Sequence, residues 1–279
     1  MTKRRALYFA LVLLAVAGVF ALWMVPAPPE ARRGADMPRP EASETMTSAK
    51  RPDICEETLF KGARSILCVI DPATYDIRLV YRDQDNEPYA SVPKAVLALA
   101  AGGKMPVMAM NAGMYHADMQ PVGLYVEDGT ELSPINQDDG FGNFFLKPNG
   151  VFFLDQAGRA GVLETEAYAS AGIAPVFATQ SGPMLVIEGE IHPRFRPDGT
   201  TRYIRNGVGV RADGKVVLAI SRDPVSLGSF ARLFRDIGEC PNALFFDGGV
   251  SSLAWGTEME IDSGDPAGPM LAVFETSGG

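Results

Sequence analysis

Histidine is almost missing from this chain, with only His116 and His192 in 279 residues, and cysteine occurs three times, at Cys55, Cys68 and Cys240. No C-x-x-C pair is present, so the usual ligand sets of structural zinc have no counterpart. Neither histidine stands in a triad context, which argues against a serine hydrolase even though Ser181, Ser251 and Ser252 offer hydroxyls beside glycines. Cys68 sits inside the apolar stretch SILCVID and reads as core, not as a nucleophile. The Walker pattern is absent too, and with it support for nucleotide-triphosphate chemistry.

Positive charge is scarce where nucleic-acid binding would need it. The chain carries 25 Lys and Arg against 34 Asp and Glu. Eight of the basic and four of the acidic side chains fall in residues 1 to 52, which leaves 17 and 30, a net of −13, for residues 53 to 279. So acidic a domain repels polyanions and excludes broad nucleic-acid binding, though one or two local arginines suffice for a small anion.

Long apolar runs are limited to one. Lys3-Arg4-Arg5 precedes 20 uncharged, mostly apolar residues from Ala6 to Val25, enough at about 1.5 Å per residue to span roughly 30 Å of hydrocarbon. We expect residues 1–25 to form an uncleaved membrane anchor. The alternative, a cleaved signal, has only the proline-rich Val25-Pro26-Ala27 as its site. In either case the remainder crosses the membrane, which predicts a bacterial inner-membrane protein facing the periplasm, or one released there. Residues 26–52, rich in Pro, Ala, Ser and charge, read as a disordered linker, and residues 53–279 as the folded domain. Outside the cytoplasm three cysteines give one disulfide and one free thiol, with the pairing open.

Within the domain, short β-like runs alternate with turns. Residues 66–71 and 76–82, separated by Pro-Ala-Thr-Tyr, read as a hairpin. Residues 91–103 combine a Ser cap, helical spacing and a glycine stop. Strands are expected at 107–111, 121–126, 150–154, 183–187, 207–212, 215–220 and 242–246, with Ala212-Asp213-Gly214 as a hairpin turn. Residues 229–238 place Phe230, Leu233, Phe234 and Ile237 on one stripe of a helix. This pattern predicts one α+β domain of mixed or antiparallel sheets with a few helices.

Three apolar runs end on small or amide-bearing residues: VMAMNAGMY on Asn111 and Gly113, ATQSGPMLV on Gln180, Ser181 and Gly182, and LFFDGGVSS on Asp247, Gly248, Gly249, Ser251 and Ser252. A fourth stretch, RYIRNGVGV, sets Arg202, Arg205 and Asn206 at the start of a strand. Taken singly, such ends are turn caps and positive-φ glycines. Together they make a set of amide, hydroxyl and guanidinium donors around one carboxylate, which suits a phosphate-bearing substrate.

NAGMY, the PVGLYVEDG segment at 121–129, TQSGPMLV, the RNGVGVRADGK segment at 205–215 and NALFFDGGVSS resemble, in order, the phosphodiester glycosidase family, and more nearly its bacterial periplasmic branch, associated with exopolysaccharide metabolism. The resemblance runs over about residues 60–275. It implies hydrolysis of a sugar-1-phosphodiester, with Asp247 and Arg205 as catalytic residues. Asn111, Gly113, Gln180, Ser181, Gly182, Asn206, Gly248, Gly249, Ser251 and Ser252 would bind substrate. A divalent cation is compatible with the family, but no ordered acidic loop asks for one here. Ala112, Met114 and Tyr115 depart from the family's N-G-G-F-F form, so its sugar preference does not carry over. Asp247 would attack the anomeric carbon or activate water while Arg205 holds the phosphate, a leaving group that needs little acid assistance. The competing readings are a membrane-tethered carbohydrate-binding or envelope-assembly protein without catalysis, and a phosphodiesterase cleaving P–O.

Overall fold

Lys61 and Gly62, both at positive φ, close a two-residue turn between the first two strands and set Cys55 directly opposite Cys68. The two cysteines form a disulfide, and Cys240 remains a buried thiol. The computed structural model describes residues 50–196 and 199–276; the anchor and nearly all of the linker expected from the sequence lie outside them. Among the described residues no helix is long and apolar enough to cross a membrane.

The chain runs through β1 (Cys55–Phe60), β2 (Ala63–Ile70), β3 (Tyr75–Val80) and α1 (Val92–Ala101). Next come β4 (Met108–Asn111), β5 (Tyr125–Glu127), β6 (Thr130–Ser133), β7 (Gly150–Asp155), β8 (Ala160–Glu164) and the short α2 (Thr165–Ser170). β9 (Pro175–Ser181), β10 (Met184–Ile187), β11 (Glu190–Ile191), β12 (Asn206–Val210) and β13 (Val216–Ser221) lead to α3 (Leu227–Arg232). A π turn at Leu233–Ile237, β14 (Asn242–Phe245), a single 3-10 turn at Gly248–Val250, β15 (Leu253–Trp255), β16 (Glu258–Ile261) and β17 (Met270–Glu275) complete the order.

These strands build three sheets, ordered β1-β2-β13-β12-β14-β10-β11, β16-β15-β4-β17-β3 and β6-β5-β9-β7-β8. Every paired strand runs antiparallel to its neighbour. One core draws on all three: Ile66, Cys68 and Ile70 from the first, Met108 and Met110 from the second, Tyr125 and Phe152 from the third. The opposite face of β2 sends Leu67 under α3, where it meets Phe230, Phe234 and Phe245. Burial on both faces is why SILCVI is apolar throughout instead of alternating. α1 closes the second sheet, with Val92 and Val96 over Ala109, Ala254 and Ala272. Its start is the expected one, Ser91 Oγ accepting from the Lys94 amide.

Three expectations are corrected. Residues 66–71 and 76–82 are not a hairpin: β2 pairs with β1 and β13, while β3 pairs with β17 in another sheet. The Asp71 carbonyl accepts from Thr74 and Tyr75, and its carboxylate from Ala73, in a turn that carries the chain between sheets. The helical stripe at 229–238 breaks at the π turn, whose extra residue per turn leaves Ile237 40% exposed. The strand expected from residue 121 also begins only at Tyr125, because the Leu124 amide donates to the Gln180 side chain.

The alternation in NGVGV has a packing cause. Val208 and Val210 enter the main core, whereas a Cβ on Gly209 would stand 2.6 Å from Cys240 Sγ and 2.9 Å from the Phe234 ring. Glycine there lets α3 and its π turn lie directly on the strand.

Closing a loop of sequence separation 13, the disulfide should stabilise the domain by about 3 kcal/mol through the unfolded chain. The Cys55→Ser/Cys68→Ser double variant should show a correspondingly lower urea midpoint and a slope no smaller than that of wild type, because the uncrosslinked chain unfolds to a more open state. Reduced wild type should match it.

Candidate active site

The ends of β4, β12 and β14 meet where the first and second sheets abut, and two buried amides join them. Asn206 Nδ2 donates to the Asn111 carbonyl at 2.7 Å and to Asn111 Oδ1 at 3.0 Å. Asn111 Oδ1 also accepts from the Ser252 amide at 2.9 Å, and Asn111 Nδ2 donates to the Asp247 carbonyl at 2.8 Å. Both asparagines are at most 1% exposed. The pair therefore pins the backbone of the 247–252 turn at both ends, a role that only a group with donor and acceptor in one plane can fill.

Asp247 emerges half-buried from this frame. Its Oδ1 accepts from the Gly249 amide at 3.1 Å, capping the 3-10 turn, and its own amide donates to the Ala112 carbonyl. No cation pairs with the carboxylate among the described residues. Burial pushes its pKa above the ordinary aspartate value, against a smaller opposing effect of the Gly249 amide. Tyr115, whose hydroxyl donates to the Pro266 carbonyl, feels the same charge: its pKa is pushed up to about 12, by burial first and then by Asp247 and Asp265.

Arg205 follows a different course. Adjacent residues at a strand start point to opposite faces, so Asn206 turns toward Asn111 while the Arg205 guanidinium turns away from it. That guanidinium donates to the Val225 carbonyl at 2.8 Å and the Thr201 carbonyl at 3.4 Å. It lies 5.6 and 5.4 Å from the Tyr203 and Phe245 ring centroids. Burial lowers its pKa to about 10, which still leaves it charged at neutral pH. No carboxylate partner offsets that charge among the described residues. A cleft of about 480 Å³ opens beside it, lined also by Asn143, Arg194, Arg196 and Tyr203. Asp247 and Arg205 are not bonded to each other, and Asp247 does not line the Arg205 cleft; Phe245, which the guanidinium approaches, also lies against Gly248, where a Cβ would meet its ring at 2.7 Å.

Several expected substrate ligands are instead engaged within the protein. Gln180 Oε1 accepts from Leu124 and Asn136, and its Nε2 donates to the Asn136 carbonyl and Thr165 Oγ1. With its amide saturated and 1% exposed, it braces the 123–136 segment and has nothing left for a sugar. Asn111 is likewise committed to the sheet junction. The Ser251 hydroxyl lies within reach of Gly248 and Asn206, and that of Ser252 bonds Val250 and Ser263, so both face inward. Gly113 and Gly182 allow close approach: a Cβ would stand 2.3 Å from Thr179 Oγ1 at the first and 2.6 Å from the Phe144 carbonyl at the second. Gly249 is exposed beside Asp247, the one glycine of the set open to a ligand.

Two buried polar groups lie outside the expected set or its expected role: Ser181 Oγ and His192 Nε2 have no hydrogen-bond partner. His192 stacks on Phe195 at 4.6 Å, and burial lowers its pKa. His116 is exposed. Tyr115 was visible in the sequence only as a departure from the family pattern. No cluster of three or more His, Cys, Asp or Glu side chains is placed to hold a metal ion among the described residues, so no step is assigned to one.

A family model described as phosphodiester glycosidase matches residues 104–274, which include both Asp247 and Arg205. The chain belongs to that family. The Escherichia coli (strain K12) protein YigE, itself uncharacterized, is 30% identical over 184 residues, 66% of this chain and 71% of that protein. The fold is shared with the catalytic domain of zebrafish N-acetylglucosamine-1-phosphodiester alpha-N-acetylglucosaminidase, auto-inhibited by its pro-peptide, at TM-score 0.56 and 14% identity over 82% of this chain and 87% of that one. A hypothetical protein from Synechocystis aligns at TM-score 0.51 and 14% identity over 80% and 61% of the two chains.

A raised carboxylate pKa makes folding favour the protonated form. Stability should therefore be full below the ordinary aspartate pKa and fall as pH rises through the raised one. Asp247→Asn should melt above wild type at pH 7, and the gap should close in acid. Asn111→Ala, which strands the Asp247 carbonyl and the Ser252 amide, should cost roughly 2–5 kcal/mol in urea unfolding.

Proposed function

We propose that this protein hydrolyses a sugar-1-phosphodiester at the bond between the anomeric carbon and oxygen, releasing free sugar and a phosphomonoester. The supporting observation is a half-buried carboxylate without a cation partner and a buried arginine without a carboxylate partner among the described residues, both within the segment that the family model matches. Neither charge is compensated among the described residues, and a substrate with a carbon centre turning electrophilic beside a phosphate satisfies both.

In this reading Asp247 acts at the anomeric carbon, as nucleophile or as base toward water. The C–O electron pair passes to the phosphate, whose growing charge Arg205 holds. Water supplies the new sugar hydroxyl. Because the leaving group is a stable anion, the second carboxyl of ordinary glycosidases is dispensable. The Gly249 amide and the Tyr115 ring border the sugar side. The disulfide and the apolar run after Lys3-Arg4-Arg5 support an exported, membrane-tethered location with the site facing the periplasm. A role in envelope or exopolysaccharide metabolism fits that placement.

The whole chain in detergent, assayed on a panel of sugar-1-phosphodiesters in heavy-oxygen water, should release sugar carrying the label. Asp247→Asn should lower kcat/KM by about 100-fold or more while staying folded. The acid limb of the wild-type profile should lie above the ordinary aspartate range. Label in the phosphate would mean P–O cleavage and sink the assignment, and Asp247-independent turnover would remove the proposed residue.

A further inference from the structure

The cleft beside Arg205 is more positive than one phosphodiester requires. Arg194 and Arg196 line it with Arg205, and no acidic side chain does so among the described residues. Among the described residues none of the three arginines forms an ion pair, although the domain as a whole is acidic. Arg205 is 3% exposed, and its bonds to Val225 and Thr201 use Nε and Nη2, leaving Nη1 without an acceptor among the described residues. A buried, unpaired guanidinium is costly unless an anion completes it. Arg194 and Arg196 are exposed on the wall of the same cleft, and Asn143 and Thr201 add polar edges.

We infer that the cleft is built for a leaving group with two linked phosphates: Arg205 takes the phosphate next to the sugar, and Arg194 and Arg196 take the one beyond it. This rests on the hydrolysis proposed above and names its substrate class. A sugar phosphodiester carries about one negative charge, and its monoester product about two. A sugar diphosphate diester begins with about two and ends with about three, one for each guanidinium, so the cleft holds the product side of the reaction more strongly than the substrate side. The chemistry balances with water alone. The anomeric C–O bond breaks, its electron pair goes to the nearer phosphate, water gives hydroxyl to the sugar, and its proton goes to the diphosphate or to solvent.

Binding to the whole chain in detergent, measured by calorimetry with inorganic pyrophosphate and with orthophosphate, tests this independently of turnover. Pyrophosphate should bind at least tenfold more tightly than orthophosphate, in wild type and in Asp247→Asn alike. The Arg194→Ala/Arg196→Ala variant alters two exposed side chains and should lose about tenfold in pyrophosphate affinity, with orthophosphate changed less than twofold. Equal affinity for the two anions, or a loss equal for both, would overturn the inference. Activity on a nucleoside-diphosphate sugar and on an alkyl-diphosphate sugar then separates a soluble from a lipid source of the same diphosphate. If turnover occurs only on single phosphodiesters and pyrophosphate gains nothing, the hydrolase stands and the diphosphate is refuted. If pyrophosphate is selected but no sugar is released, the diphosphate site stands and the hydrolase falls.

Discussion

The buried amide pair Asn111–Asn206 is the interaction on which the rest of the site depends. It joins the end of β4 to the start of β12, and through Ser252 and Asp247 it reaches both sides of the turn after β14. Two apolar sheets packed face to face have no inherent register relative to one another. A donor and an acceptor in one side chain, held away from water, supply it. The carboxylate thus inherits its position from the docking of the sheets, not from its local turn alone. The same frame explains why a polar cluster lies in an otherwise apolar junction: each group in it satisfies another.

Charge is arranged by a related logic. Asp247 and Arg205 would neutralise one another if they stood on the same face. Strand alternation at Arg205 and Asn206 turns the guanidinium onto Phe245 and away from the Asn111 junction that carries Asp247, and the two stay unpaired. Each keeps a desolvation cost that a ligand with the right pair of groups can relieve. Sites that bind by relieving such costs discriminate strongly, because a ligand lacking one group leaves a buried charge exposed to nothing.

What could be read from the sequence was what is local. The Ser91 cap, the turn at 212–214 and the continuous apolar stretch of β2 announce themselves within ten residues, and the motif order placed Asp247 at a strand end. The hairpin at 66–82 failed because β1, CEETLF, is neither apolar nor alternating, so the true partner of β2 was invisible. Without β1 the pairing of Cys55 with Cys68 could not be chosen. Gln180, Ser251 and Ser252 looked like ligands because an unpaired amide or hydroxyl and a saturated one are spelled alike. Their partners, Asn136, Thr165, Gly248 and Ser263, come from loops with no pattern of their own. The antiparallel pairing of every strand and the arginine-lined wall at 194–196 likewise required the tertiary fold.

The position of β17 bears on how the chain is made. β3 and β4 lie in the same sheet yet are joined only through β17, which pairs with β3 along its whole length and with β4 from Met270 to Val273. Until Met270–Glu275 has been synthesised, the second sheet has a gap at its middle and the amide junction has no firm floor. Contacts of such long sequence separation make folding slow and late. A nascent chain of this design stays open until its last strand is made, and only then can the turn at 247–252 settle onto a finished sheet.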